Sequence, residues 1–160
     1  MKIHRSTGGS AGNTVCALAA LGANPGFIGK VGQDETGTFF GDTLRQRGVN
    51  ALLATCDLPS GIASTFISTD GERTFGTYLG AAATLRAEDL SRKMFAGYNY
   101  LYIEGYLLQD HDLMLRAVQL AKEEGLQVCL DMASYNVVEA ERDFFDQLIV
   151  KYVDIVFANE

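Results

Sequence analysis

Histidine is nearly absent from this chain, positive charge is in deficit, and no long apolar run occurs. His4 and His111 stand alone, so neither a histidine-based triad nor a zinc site is indicated. Cys16, Cys56 and Cys129 are odd in number, far apart and never in a C-x-x-C pair. Each is expected to be a buried apolar residue rather than a ligand or a disulfide partner. Lys and Arg total 13 against 20 Asp and Glu, a net charge of −7. Such a balance lacks the basic footprint of nucleic-acid binding. It leaves phosphate chemistry open, because local amides and a metal can handle an anion. With no leader-like segment and no membrane-length apolar run, the chain reads as soluble and cytoplasmic. The familiar phosphate loops are missing too. No G-x-G-x-x-G follows a predicted strand, and Gly29-Lys30 fails as a Walker ending because Asn24 and Val31 occupy the positions of its Gly and Ser/Thr.

What is present is enough for one domain with a real core: 160 residues, 48% of them apolar. There is no internal repeat, low-complexity tract or linker. Apolar spacing predicts helices from about Asn13 to Leu21 and from Asp34 to about Arg47, ended by Gly22 and Gly48. Asp34 is expected to cap the second of these. Further helices are predicted over Asp110 to Glu124, where Val118, Leu120 and Ala121 sit among polar partners, and over about Tyr135 to Lys151. Strands are predicted at Gly26–Val31, Val49–Thr55, Tyr98–Ile103, Gln127–Asp131 and Asp154–Phe157. This alternation argues for a parallel sheet with helices on its faces. A different texture interrupts it. Ile62 to Thr69 and Arg73 to Leu79, rich in β-branched and aromatic residues, flank Asp70-Gly71-Glu72 and read as a hairpin.

The segment Gly8-Gly9-Ser10-Ala11-Gly12-Asn13 opens the first helix. Adjacent glycines let the backbone approach a ligand, and the first N–H groups of the helix face the same space. Asn13 adds an amide that both donates and accepts. The set suits a hydroxyl-rich ligand such as a sugar or nucleoside; a tight turn packed on a small-residue helix is the plain alternative. Glu104 follows a predicted strand, at the end where ligands gather in open parallel sheets. It is either a ligand-facing carboxylate or a helix cap or surface charge. Asp131 also ends a strand and could face the same cleft, but it is expected to cap the Tyr135 helix region rather than act in catalysis.

Gly8 to Thr14, Gly22, and Phe27-Ile28-Gly29-Lys30-Val31-Gly32-Gln33-Asp34-Glu35-Thr36-Gly37 together resemble the N-terminal signature of the ribokinase-like (PfkB) carbohydrate and nucleoside kinases. The resemblance continues through Thr65, Asp70 to Phe75, Gly80-Ala81-Ala82, Ile103-Glu104-Gly105 and Val153 to Glu160, covering nearly the whole chain in family order. It departs at Val15, where the family has a small residue. It implies a three-layer αβα fold with a mostly parallel sheet, and a small β-lid formed in part by residues of about 60–80, often also a dimer contact. It further implies ATP and Mg²⁺ as cofactors and phosphoryl transfer to a hydroxymethyl oxygen. Gly8, Gly9, Asn13 and Glu104 match the family's substrate contacts. Asn159 matches the first residue of its Asn-x-x-Glu motif near the metal and phosphates, where an amide oxygen suits a magnesium-bound water.

The family's catalytic aspartate lies in a Gly-Ala-Gly-Asp segment, which these 160 residues do not contain. The chain is therefore expected to be an N-terminal-half fragment, holding much of the sugar side of the cleft and inactive alone. Its run from Gly8 to Thr14, with Ile103 to Tyr106, leans toward adenosine-kinase-like members. A non-catalytic sugar- or partner-binding module derived from such a kinase is the alternative. A Rossmann dehydrogenase lacks its dinucleotide fingerprint here.

Overall fold

The computed structural model describes residues 5–158 and divides the chain into two compact units, Met1–Leu85 and Arg86–Glu160. The first contains helix α1 (Ser10–Ala20), strand β1 (Gly26–Gly32), helix α2 (Glu35–Gln46), strands β2 (Asn50–Cys56), β3 (Ile62–Ile67) and β4 (Arg73–Tyr78), and a 3₁₀ segment at Gly80–Thr84. Strands β1 and β2 pair in parallel, in register from Gly26↔Asn50 to Gly32↔Cys56, with α2 as their crossover. Strands β3 and β4 form the expected antiparallel hairpin, from Ile62↔Tyr78 to Ile67↔Arg73.

The second unit holds β5 (Tyr100–Glu104), a 3₁₀ turn at Gly105–Gln109, α3 (His111–Glu123), β6 (Gln127–Asp131), α4 (Tyr135–Ala140), α5 (Arg142–Tyr152) and β7 (Ile155–Phe157). Its strands form a parallel sheet in the order β5-β6-β7. Central β6 buries Val128, Cys129 and Leu130, the continuous apolar run of a strand covered on both faces. Phe95, Ile103, Met114, Val118, Leu120, Phe145 and Leu148 complete this core.

Local chemistry explains the helix limits. Asp34 caps α2 by accepting the Gly37 N–H at 2.7 Å, and Asp110 caps α3 by accepting that of Leu113 at 3.0 Å. Helices α1, α2 and α3 end in the same way. In each, a left-handed glycine (Gly22, Gly48, Gly125) and the residue after it close the paired Schellman hydrogen bonds onto the last turn.

Four expectations need adjustment. Helix α1 starts three residues early, at Ser10, with Gly12 buried against the Phe40 ring. The single helix expected over Tyr135 to Lys151 is two, broken at Glu141 (φ −118°, ψ 23°). The break has a packing reason: α5 fully buries Phe144, Phe145 and Leu148, whereas α4 only half-buries Val137 and Val138, so one straight apolar stripe cannot serve both. Asp154 precedes its strand, and its carboxylate accepts the Val128 N–H at 2.6 Å and pairs with Lys122. Of the cysteines, only Cys129 is fully buried; Cys16 and Cys56 are half-buried, and all three are free thiols.

Candidate functional site

The first group of expected site residues lies at the start of α1. Gly9 occupies the N-cap position with φ 86° and offers no side chain to the helix terminus. Asn13 N–H is the first to find an intrahelical partner, the Gly9 carbonyl at 3.0 Å. The preceding N–H groups, of Ser10, Ala11 and Gly12, are the ones a helix start leaves open. A Cβ placed on Gly8 or on Gly9 would meet nothing within 4 Å, so the backbone itself is the exposed surface. Asn13 is exposed one turn in, and its side-chain amide makes no hydrogen bond among the described residues.

The second group lies at the carboxyl end of the β5-β6-β7 sheet. Glu104 is the last residue of β5, not the residue after it, and pairs in register with Asp131, the last of β6; Asp131 in turn pairs with Phe157 of β7. The Glu104 side chain does not cap the turn that follows. Its Oε1 is buried and has no hydrogen-bond partner among the described residues. Native proteins rarely leave a buried carboxylate oxygen unpaired, because the lost hydration is costly.

Asp131 behaves differently. Its Oδ2 accepts the Tyr102 hydroxyl at 2.8 Å and its Oδ1 accepts the Ala133 N–H at 2.8 Å, so both oxygens are engaged. It does not cap the following helix; Ser134 holds that position. Burial, then the hydrogen bond and charge of Asp131, push the Tyr102 phenol above its ordinary range, so it remains a donor. Neither Tyr102 nor Ala133 stood out in the sequence. The signal for Tyr102 was its spacing: two residues before Glu104, it shares a face of β5. Ala133 (φ 61°) is the one non-glycine residue with positive φ among those described, and nothing in an alanine announces that.

Asp34 serves structure, as expected. Its carboxylate accepts the Gly37 and Ser60 N–H groups and the Ser60 hydroxyl, while Ser60 Oγ accepts the Gly32 N–H. These bonds hold the Asp34 carboxyl below the usual aspartate range, with the Ser60 N–H contributing most. A shallow groove of about 850 Å³ runs along α2 past Asp34, Phe39 and Asp42, and it contains none of the expected site residues. Asn159 and His4 lie outside the described residues. Among the described residues no group of three or more His, Cys, Asp or Glu could hold a metal, and no helix is long and apolar enough to cross a membrane.

Each unit carries parallel strands joined through helices, the arrangement of an α/β fold. The chain belongs to the pfkB family of carbohydrate kinases, whose model matches residues 1–160. It is 30% identical over 152 residues to aminoimidazole riboside kinase of Salmonella typhimurium, covering 90% of this chain and 47% of that protein. It is 30% identical over 134 residues to probable fructokinase-4 of Arabidopsis thaliana, covering 79% and 41%. Among solved structures, adenosine kinase from Sinorhizobium meliloti superposes with a TM-score of 0.86 at 34% identity, covering 96% of this chain and 49% of that one. The chain thus spans about half the length of the relatives it matches. The ribokinase-like fold expected from the sequence agrees with these neighbours.

Proposed function

We propose that the complete gene product is an ATP-dependent kinase that phosphorylates a hydroxymethyl group of a sugar or nucleoside. The observation that carries this reading is Glu104, whose buried Oε1 lacks a donor at the carboxyl end of a parallel sheet in a PfkB-family chain. Glu104 accepts acceptor hydroxyls; Gly8 and Gly9 let the ligand meet the backbone, and Asn13 adds an amide able to donate and accept. These residues bind and orient, which is most of what phosphoryl transfer asks of a protein. The proton-accepting aspartate expected of the family belongs to a Gly-Ala-Gly-Asp segment not among these 160 residues, so the chain by itself is expected to bind without turnover. A magnesium ion, when bound, supplies charge neutralisation for the transferred phosphate, and the family resemblance puts Asn159 in its vicinity.

The hairpin of residues about 60–80 is the lid of this reading. Every residue of β3 and β4 is exposed, and an isolated two-stranded hairpin is marginal in water, so a ligand or a second copy of the chain is expected to cover it. Likeness to adenosine kinase and aminoimidazole riboside kinase favours a nucleoside acceptor, while the fructokinases keep a ketose in contention.

The test is ATP consumption by the complete gene product with adenosine, aminoimidazole riboside, fructose and ribose. Activity on one of them is expected, with Glu104→Gln and Asn13→Ala each raising its KM by about tenfold or more, the worth of a hydrogen bond to a charged or well-placed partner. Calorimetric binding of an acceptor without any product would instead favour the non-catalytic binding module.

A further inference from the structure

We propose that Asp131 is a positioning residue for the acceptor site, holding Glu104 in place through the Met132–Ala133 turn and Gly105; this inference rests on the kinase reading above. Four contacts support it. The Asp131 carboxylate is engaged on both oxygens, by the Tyr102 hydroxyl on one and the Ala133 N–H on the other, so it is tied to its own strand pair and turn. The Ala133 bond fixes a turn whose φ of 61° is one that L-residues seldom adopt, and such a conformation persists only where its surroundings hold it. The Met132 N–H donates to the Phe157 carbonyl at 2.9 Å, tying the same turn to β7. The carbonyls of Asp131 and Met132 line the space beside Gly105, where an added Cβ would lie 3.1 Å from each. Gly105 directly follows Glu104. The turn thus seats the backbone on which the unpaired carboxylate is mounted.

Tyr102 closes the arrangement from the other side. It shares one face of β5 with Glu104, and its ring lies 6.0 Å from that of Phe157. Its hydroxyl donates to Asp131 Oδ2 at 2.8 Å, a second bond that fixes the carboxylate whose other oxygen holds the turn.

The experiment compares wild type, Asp131→Ala, Asp131→Asn and Tyr102→Phe in the complete gene product. It reads kcat, the KM of the phosphoryl acceptor and the KM of ATP separately. Asp131→Ala is expected to raise acceptor KM about tenfold while ATP KM stays within about twofold. Asp131→Asn keeps an oxygen for the Ala133 N–H and should return acceptor KM to within about threefold of wild type. A residue that merely stabilised the fold would lower the melting temperature and the active fraction, hence kcat, without moving acceptor KM. Unchanged acceptor KM in folded Asp131→Ala overturns the inference. If that variant does not fold, Tyr102→Phe decides. A rise in acceptor KM alone supports positioning, and wild-type values overturn it. A wild type that transfers phosphate to no acceptor refutes the kinase reading and the inference with it. An active wild type with unaltered variants refutes the inference alone.

Discussion

Gly105→Ala is the smallest change that probes the seat of Glu104. A Cβ at this position would lie 2.9 Å from Phe145 Cζ and 3.1 Å from the carbonyl oxygens of Asp131 and Met132. The neighbours cannot easily yield. Phe145 is 1% exposed in the core of the sheet unit, and the two carbonyls belong to a turn held by hydrogen bonds to Asp131 Oδ1 and Phe157 O. Inserting a methyl into a packed site of this kind costs about 1–3 kcal/mol. At about 2 kcal/mol, a chain of this size loses roughly 4–8 °C in Tm. Thermal unfolding followed by circular dichroism reads the loss directly. The double variant Gly105→Ala/Phe145→Leu, referenced to Phe145→Leu alone because that core truncation itself costs stability, separates the two sources of crowding: it relieves the ring contact but leaves the carbonyls, so only partial recovery is expected. A single variant that melts within about 1 °C of wild type would show that the turn retreats freely. Full recovery in the double variant would show that the carbonyls exert no pressure. Either result removes the mechanical link between the Ala133 turn and Glu104.

Three further outcomes are expected. Ser60, only 3% exposed, accepts the Gly32 N–H; Ser60→Ala leaves that donor buried and unpaired, and urea unfolding should show a loss of about 1–3 kcal/mol, whereas an unchanged midpoint would mean that water replaces the hydroxyl. Asp34 and Asp154 both have carboxyl pKa values below the ordinary range, Asp34 through Ser60 and Gly37 and Asp154 through Lys122 and Val128. Folded values lower than unfolded ones stabilise above the ordinary carboxylate pKa of about 3.9. That stability is lost as pH falls through the folded values, so acid titration of Asp34→Asn should be flatter below about pH 4 than that of wild type, and identical curves would contradict the assignment. Finally, amides of Ile62–Ile67 and Arg73–Tyr78 should exchange faster than those of β6 without acceptor and slow when it binds; equal exchange with and without ligand marks a static hairpin.

Much of the fold was legible because its signals are local. Gly22 and Gly48 each stop a helix where an apolar pattern ends, and Asp34 sits where first-turn N–H groups need an acceptor. The hairpin followed from the alternation around Asp70-Gly71-Glu72, and Gln127–Asp131 came out with the observed limits because a buried central strand is a continuous apolar run. The break at Glu141 was not legible. Both halves of that stretch favour helix, and the break arises because α5 must turn Phe144, Phe145 and Leu148 inward. Asp131 was misjudged for a related reason: a carboxylate four residues before a helix reads as part of its cap region, yet the hydroxyl that claims it comes from Tyr102, 29 positions away in the chain.

By itself, then, the sequence determined the family, the order of strands and helices, the helix stops and the candidates Gly8, Gly9, Asn13 and Glu104, since each depends on neighbours a few residues apart. Only the tertiary structure decided that Glu104 keeps a buried oxygen without a donor while Asp131, beside it on the next strand, has both of its oxygens engaged. Two acidic residues at the ends of adjacent parallel strands look alike in a linear text. Which one finds partners and which keeps a buried oxygen without a donor depends on strand register and on a strained turn, and those are set by groups that meet only when the chain has folded.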